Sequence, residues 1–114
     1  MAATKTVRLG DIAYARSGDK GGGANVGVIA RTPAVFEHLR RNLTAEAVEA
    51  FFRPLGVGRV VRYELPNLGA LNFVLPGILD GGGSVSLRID AQGKALGQAL
   101  LEMNLDISDT EVTR

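Results

Sequence analysis

The chain has 114 residues, of which 46% are hydrophobic and 22% are charged, and its formal net charge is +1. This length predicts a single soluble domain spanning residues 1–114, and the balanced charge argues against nucleic acid as a partner. Cysteine is absent and histidine occurs once, which excludes disulfides, thiol catalysis and thiolate metal sites, so we predict neither a metal nor another cofactor. No apolar run is long enough to cross a membrane and the first residues lack signal-peptide character, so we expect a cytoplasmic protein.

The first predicted element is one long strand over residues 6–15. Val7 and Leu9 alternate with polar residues, and Ile12 and Tyr14 resume the alternation in the opposite phase. This change of phase predicts a bulge or bend within the strand.

A second strand is predicted over residues 25–31, with Val26 and Val28 on its buried face. Thr32 followed by Pro33 is typical of the start of a helix. Two helical segments follow, and their apolar stripes comprise Val35, Phe36, Leu39 and Leu43, then, after a Thr44 cap, Val48, Phe51, Phe52 and Leu55.

Alternation predicts two further strands, over residues 59–65 and 84–90, with Val61, Tyr63 and Leu65 turned toward the core of the domain. The stretch between them, residues 66–83, has no clear period. It begins with a predicted turn at residues 66–69 and continues with an apolar run at residues 71–75 that is too short to assign. An amphipathic helix from Gly93 and a short strand over residues 105–107 complete the prediction.

In chain order, the strand at residues 25–31, the helical region, the strands at 59–65 and 84–90, the second helix and the strand at 105–107 form the pattern βαββαβ. This is the ferredoxin-like order, and residues 6–15 add an extra N-terminal strand. We therefore predict an α+β fold whose helices cover one face of an antiparallel sheet.

The second face of this sheet is predicted to be uncovered and to present mainly polar residues. A bare sheet face is often covered by a partner subunit, so we expect a homo-oligomer. On the predicted strands, the residues of this face are Arg62, Glu64, Ser84, Ser86 and Arg88.

The densest polar chemistry lies between the first two strands, in the sequence RSGDKGGGAN at residues 16–25. Glycines allow positive φ and let a ligand approach the main chain closely, and successive N–H groups in such a turn can bind an anion. A lysine within the turn adds a charge suited to phosphate or carboxylate. The candidate ligand-binding residues are Arg16, Ser17, Gly18, Asp19, Lys20, Gly21, Gly22 and Asn25.

A structural role for the same stretch is the alternative. In that interpretation it is a glycine-rich hairpin in which Asp19 and Asn25 bond its own backbone and Lys20 points into water. Catalysis by Asp19 and Lys20 is disfavoured, because neighbours in an extended chain point to opposite sides. His38 is predicted to be a solvated helix residue. The sequence offers no set of nucleophile, base and orienting group, so no catalytic residue is assigned.

Three stretches together resemble one known family: ARSGDKGGGANVGVIAR at residues 15–31, RYELPNLGALNFVLPG at 62–77 and SLRIDAQGKALGQALLEM at 86–103. They are similar to the C-terminal domain of the AtuA-like proteins, which are named for acyclic terpene utilisation. The resemblance implies a ferredoxin-like fold and a small domain that stands alone here but is attached to a larger domain in other members. It also implies a setting in the breakdown of acyclic terpenoids and related acyl-CoA esters, and it supplies no catalytic residue.

Three functions remain open. The first is an accessory or subunit domain that associates with itself or with a larger AtuA-like chain. The second is a binding module that holds an acyl-CoA-like anion in the glycine-rich loop. The third is a lyase or hydratase that uses Asp19 and Lys20. The lack of a catalytic set argues against the third and favours a domain that is non-catalytic on its own.

Overall fold

The computed structural model describes residues 4–20, 23–78 and 94–108 of the chain. None of the helices in this part is long and apolar enough to cross a membrane. In chain order its helices and strands are β1 (Thr4–Arg8), β2 (Ala13–Lys20), β3 (Gly23–Ala30), α1 (Pro33–Asn42), α2 (Ala45–Phe52), β4 (Val61–Leu65), β5 (Ala70–Leu75), α3 (Lys94–Leu100) and β6 (Asn104–Ser108).

Four of these strands form one antiparallel sheet in the order β2-β3-β5-β4, and β1 pairs with β6 in a separate antiparallel ribbon. Helix α1 packs on β3, α2 on β5 and α3 on β2. The predicted ferredoxin-like α+β class, with antiparallel strands and helices on one sheet face, is confirmed. The predicted strand at residues 84–90 lies outside the described residues.

The N-terminal region forms two strands, so the prediction of one bent strand over residues 6–15 is wrong. A 3₁₀ turn at Leu9–Asp11 separates β1 from β2, and the two strands belong to different sheets. Leu9 is buried in the core, and its N–H donates to the carbonyl oxygen of Met103 at 2.8 Å. The change of phase in the apolar pattern therefore marks a change of sheet.

Both helix starts were correctly predicted from their threonines. The hydroxyl of Thr32 accepts a hydrogen bond from the Val35 N–H at 3.1 Å, and that of Thr44 accepts one from the Ala47 N–H at 3.0 Å. Each bond satisfies a backbone donor that has no partner within the helix.

The prediction that His38 is solvated is wrong, because only 3% of this residue is exposed. His38 lies one helical turn from Val35 and beside Leu39, so it belongs to the buried side of α1. Its Nδ1 lies 3.3 Å from Nδ2 of Asn42, which also donates to the His38 carbonyl oxygen at 2.9 Å.

The unassigned apolar run is a strand in the interior of the sheet. The predicted turn before it is confirmed as a 3₁₀ turn at Pro66–Leu68, closed by Gly69 at a φ of 60°. This positive φ is the conformation that glycine adopts without strain. Strand β5 then runs between β3 and β4. This interior position explains why all of its residues except Asn72 are apolar, since an interior strand is more buried than an edge strand.

Candidate functional site: the open face of the sheet

The register of the four-stranded sheet divides its side chains between two faces, because residues directly opposite in antiparallel strands share a face. The helix face lies under the helices and carries buried residues such as Val26, Val28, Leu71 and Phe73. The other face, here called the open face, consists of three rows across the strands. Row 1 is Tyr14–Ile29–Ala70–Leu65, row 2 is Arg16–Gly27–Asn72–Tyr63, and row 3 is Gly18–Asn25–Val74–Val61.

Strand β4 turns its apolar residues onto this open face, so their predicted inward orientation is wrong. The exposed fractions are 43% for Val61, 54% for Tyr63 and 40% for Leu65. Tyr14, at the far end of row 1, is 53% exposed. Among the described strands, β4 is the last in the sheet order, and it presents a line of three large apolar side chains.

The polar residues of β4 take the helix face, so the prediction that they lie on the uncovered face is also wrong. Nη1 of Arg62 donates to the carbonyl oxygens of Arg40 at 2.8 Å and of Leu43 at 3.0 Å. Its Nη2 donates to Glu64 at 2.8 Å. Carbonyls at the end of a helix lack partners within the helix and attract cations. Arg62 thus satisfies the end of α1, and this contact fixes which side of β4 faces outward.

Residues 16–20 and 23–25 of the predicted glycine-rich loop belong to the paired strands β2 and β3. The pairing of β2 with β3 extends to Lys20 and Gly23, so only residues 21 and 22 lie between the two strands. Gly18 and Gly23 are not among the glycines with positive φ. Gly23 is instead required by close packing, because a Cβ there would lie 2.9 Å from the carbonyl oxygen of Leu75.

The hairpin distributes the candidate ligand residues over both faces. Arg16, Gly18 and Asn25 lie on the open face. Ser17 lies on the helix face, where its hydroxyl accepts a hydrogen bond from the N–H of Gly97 at 3.3 Å. Asp19 and Lys20 occupy the last paired positions of β2. Gly21 and Gly22 lie outside the described residues, so the anion-binding turn stays a prediction.

Ser17 also marks the closest approach of α3 to the sheet. A Cβ on Gly97 would lie 3.1 Å from the Ser17 hydroxyl and 3.4 Å from the Cβ of Ala15. Small residues on both sides let the helix and the strand approach each other closely. These contacts place Ser17 in the packing between α3 and β2.

The centre of the open face is polar. Nδ2 of Asn25 donates to Oδ1 of Asn72 at 3.4 Å, and both amides are half-buried. Arg16 lies at the end of row 2, exposed, and makes no hydrogen bond or ion pair within the described residues. Among the twelve residues of the three rows, Arg16 is the single charged one. The open face is thus a mostly apolar surface with Arg16 at its β2 end, and the guanidinium of Arg31 lies 4.1 Å from the centroid of the Tyr14 ring of row 1.

A cleft of about 460 Å³ lies at one end of the sheet, between the start of α1 and the turn after β4. Phe36, Glu37 and Asn67 line it. A hydrogen bond from Arg40, 2.7 Å long, lowers the pKa of Glu37 below its ordinary value. The Glu37 carboxylate is therefore held as an ion pair and is not poised to exchange a proton near neutral pH.

The described part of the chain also contains no group of three His, Asp or Glu side chains that could hold a metal ion. The lone histidine is committed to the packing of α1, as described above.

An antiparallel sheet with helices packed on one of its faces is the architecture of a ferredoxin-like α+β domain. A family model, the AtuA ferredoxin-like domain, matches residues 7–106, and the chain belongs to this family. No curated protein matches the chain, and no solved structure matches it. The resemblance seen in the three sequence stretches is confirmed.

Proposed function

We propose that this domain is a non-catalytic association module that binds a second copy of itself through the open face. The observation that carries the proposal is the outward line of Val61, Tyr63 and Leu65 on β4. Contiguous exposed apolar surface on a small domain is typical of a protein–protein contact. The core residues of the same strands are buried on the helix face.

The open face suits a second copy because its two edges differ in kind. The β4 edge ends in apolar and aromatic side chains, whereas the β2 edge carries Arg16 and the small residue Gly18. A two-fold contact uses the same patch on both subunits, so unlike edges can meet. A larger AtuA-like chain is the alternative partner for the open face, and the experiment below distinguishes it from a second copy.

The size of the face predicts a weak dimer. Four strands about 4.8 Å apart and three rows about 6.8 Å apart give a projected area of roughly 400 Å² per subunit. Together, two such faces bury an area at or below about 1,200 Å², the lower limit for standard interfaces, even when the uneven surface of the side chains is counted. We therefore expect a dissociation constant in the micromolar range, so that monomer and dimer exchange.

Sedimentation velocity tests this proposal over a concentration range from about 1 μM to about 1 mM. We expect the wild-type chain to shift from monomer to dimer, and Tyr63→Asp to stay monomeric because a carboxylate would be buried in the contact. Leu68→Asp is the matched control, since Leu68 is 68% exposed but lies on the turn outside the three rows. It should dimerise like the wild type.

A wild-type chain that stays monomeric throughout would contradict association with a second copy. If that monomer binds a purified larger AtuA-like chain and Tyr63→Asp abolishes the binding, the larger chain occupies the face instead. Dimerisation that Tyr63→Asp leaves intact would place the contact elsewhere on the domain.

The setting we propose is the cytoplasmic breakdown of acyclic terpenoids and related acyl-CoA esters. Membership of the AtuA ferredoxin-like family supports this setting. The domain would then act as a subunit or accessory part of a larger assembly, and the chemistry would be carried by another chain.

A second proposal is that the hairpin holds an acyl-CoA-like anion. It is favoured by Arg16, which is exposed and has no ion-pair partner among the described residues. Lys20→Ala should weaken the binding of an acyl-CoA ester in a calorimetric titration and leave the thermal stability unchanged, whereas Asp19→Ala should lower both. Arg59→Gln, an exposed cation on another segment, is the control and should bind normally. The absence of any heat from the wild-type chain would contradict this second proposal.

A further inference from the structure

We infer that two copies pack about a two-fold axis that runs along the strands, so that Arg16 of each copy stacks on Tyr63 of the partner subunit. This inference rests on the proposed association through the open face. It adds the orientation of the partner and the residue pair that selects this orientation.

A symmetric contact between two sheet faces with aligned strands leaves two directions for the two-fold axis. An axis along the strands keeps each row over the same row of the partner and exchanges its ends, so β2 lies over β4 and β3 over β5. An axis across the strands keeps each strand over itself and exchanges row 1 with row 3. The two arrangements bring different residues together, and charge and shape decide between them.

Charge favours the axis along the strands. Row 2 is the central row, so an axis across the strands would bring the two Arg16 side chains against each other with no carboxylate in the rows to compensate. The axis along the strands places each guanidinium over the ring of Tyr63 instead. Arginine stacks favourably on an aromatic face, and Tyr63 is among the most exposed apolar side chains described.

Shape favours the same axis. It sets Gly18 against Val61, so that a small residue faces a large one at both ends of row 3. The axis across the strands would set Gly27 against itself and leave a gap at the centre. Aligned sheets pack at about −30°, which preserves these pairings best near the central row.

Because the chain contains no cysteine, single cysteines can be introduced and cross-linked to measure the orientation of the two subunits. Chains with Tyr14→Cys and chains with Leu65→Cys are mixed and treated with a short bismaleimide that spans the ~10 Å between packed sheets. We expect a cross-linked dimer from the mixture and little from either variant alone. With the axis along the strands, the same residue of the two subunits lies at opposite ends of the interface. Tyr63→Cys alone should also fail to cross-link.

Cross-linking of Tyr63→Cys with itself, without a product from the mixture, would overturn the inference and show the axis across the strands. In that case the dimer exists and the proposed function stands. If the wild-type chain shows no dimer in sedimentation, the proposed function fails, and this inference fails with it. The two failures are therefore distinguishable.

Arg16→Ala gives an independent measurement with opposite signs for the two axes. If the axis runs along the strands, the substitution removes two stacking contacts, so the dissociation constant of the dimer should rise by about tenfold. If the axis runs across the strands, the substitution removes the repulsion between the two Arg16 side chains, so the dissociation constant should fall. Arg16→Lys keeps the charge and loses the planar stack, and we expect an intermediate value. Arg59→Ala is the control and should leave the constant unchanged.

Discussion

The two faces of the four-stranded sheet are built from the same alternating strands but are used in opposite ways. On the helix face, apolar residues such as Phe73 are fully buried and the polar Arg62 is admitted only because it binds carbonyls at the end of α1. On the open face, Tyr63 is left half exposed beside a polar centre. The difference indicates that the helix face holds the fold together, while the open face contributes little to the isolated domain and is available for a partner.

The largest expected difference between the faces is in how much the truncation of a side chain lowers the free energy of unfolding. Phe73→Ala should lower the free energy of unfolding by roughly 3–5 kcal/mol, because it leaves a cavity in the core. Tyr63→Ala, one strand away, should change it by less than about 0.5 kcal/mol in the monomer. Urea denaturation at low protein concentration measures both. Equal losses would contradict the division of roles between the faces.

The next effect concerns the arginine that orients β4. Arg62→Ala should cost roughly 2–3 kcal/mol, because charged hydrogen bonds are lost and the carbonyls of Arg40 and Leu43 are left without this donor. Arg59→Ala removes an exposed arginine just before β4 and should be nearly neutral. Thermal unfolding monitored by circular dichroism compares the two. An Arg62→Ala chain as stable as Arg59→Ala would show that this contact does not determine the orientation of β4.

The two glycines of the hairpin should respond differently. Gly23→Ala would force a Cβ to within 2.9 Å of the Leu75 carbonyl oxygen, and we expect a loss of about 1–3 kcal/mol. At Gly18 the nearest atom to an added Cβ is Oδ1 of Asn25 at 3.5 Å, so Gly18→Ala should be tolerated in the monomer. If Gly23→Ala is also neutral in urea denaturation, close packing does not explain the glycine.

The smallest effect is the pH dependence of an exposed ion pair. Because the hydrogen bond from Arg40 lowers the pKa of Glu37 from 4.5, its stabilising contribution is present above that pH and is lost as the pH falls through the lower value of the folded chain. Glu37→Gln should therefore flatten the acid limb of a stability–pH profile slightly. Arg40→Gln removes the same pair and should flatten it in the same way. A steeper limb in either variant would contradict the assignment.

Local signals in the sequence predicted much of the fold. The Thr32–Pro33 pair marked the start of α1, and alternation of Val26 and Val28 identified the buried face of β3. These features depend on residues a few positions apart, so a single sequence contains them. The family resemblance gave the same class of fold from three separate stretches.

The orientation of β4 could not be predicted in the same way. Alternation shows that Val61, Tyr63 and Leu65 share a face, but not whether that face meets the helices. The deciding contact joins Arg62 to carbonyls about 20 residues earlier in the chain. The sequence offers one clue, since Arg62 and Glu64 interrupt an apolar strand with a pair of opposite charges.

The candidate site was predicted in part. The sequence identified the stretch that supplies Arg16, Gly18 and Asn25 to the open face, but treated it as a loop because glycines favour turns. It missed the apolar half of the face, formed by β4. Joining the two halves requires β3 and β5 to lie between them, and the register of those strands is a tertiary property.

Dilution of an isotope-labelled chain followed by nuclear magnetic resonance tests the central claim most directly, because it locates the contact residue by residue. Between high and low protein concentration, we expect shifts in the rings of Tyr14 and Tyr63 and the methyl groups of Val61 and Leu65, with little change at Val28 and Phe73 on the helix face. Shifts confined to the helices, or no shifts at concentrations where sedimentation detects a dimer on the open face, would contradict the proposed interface.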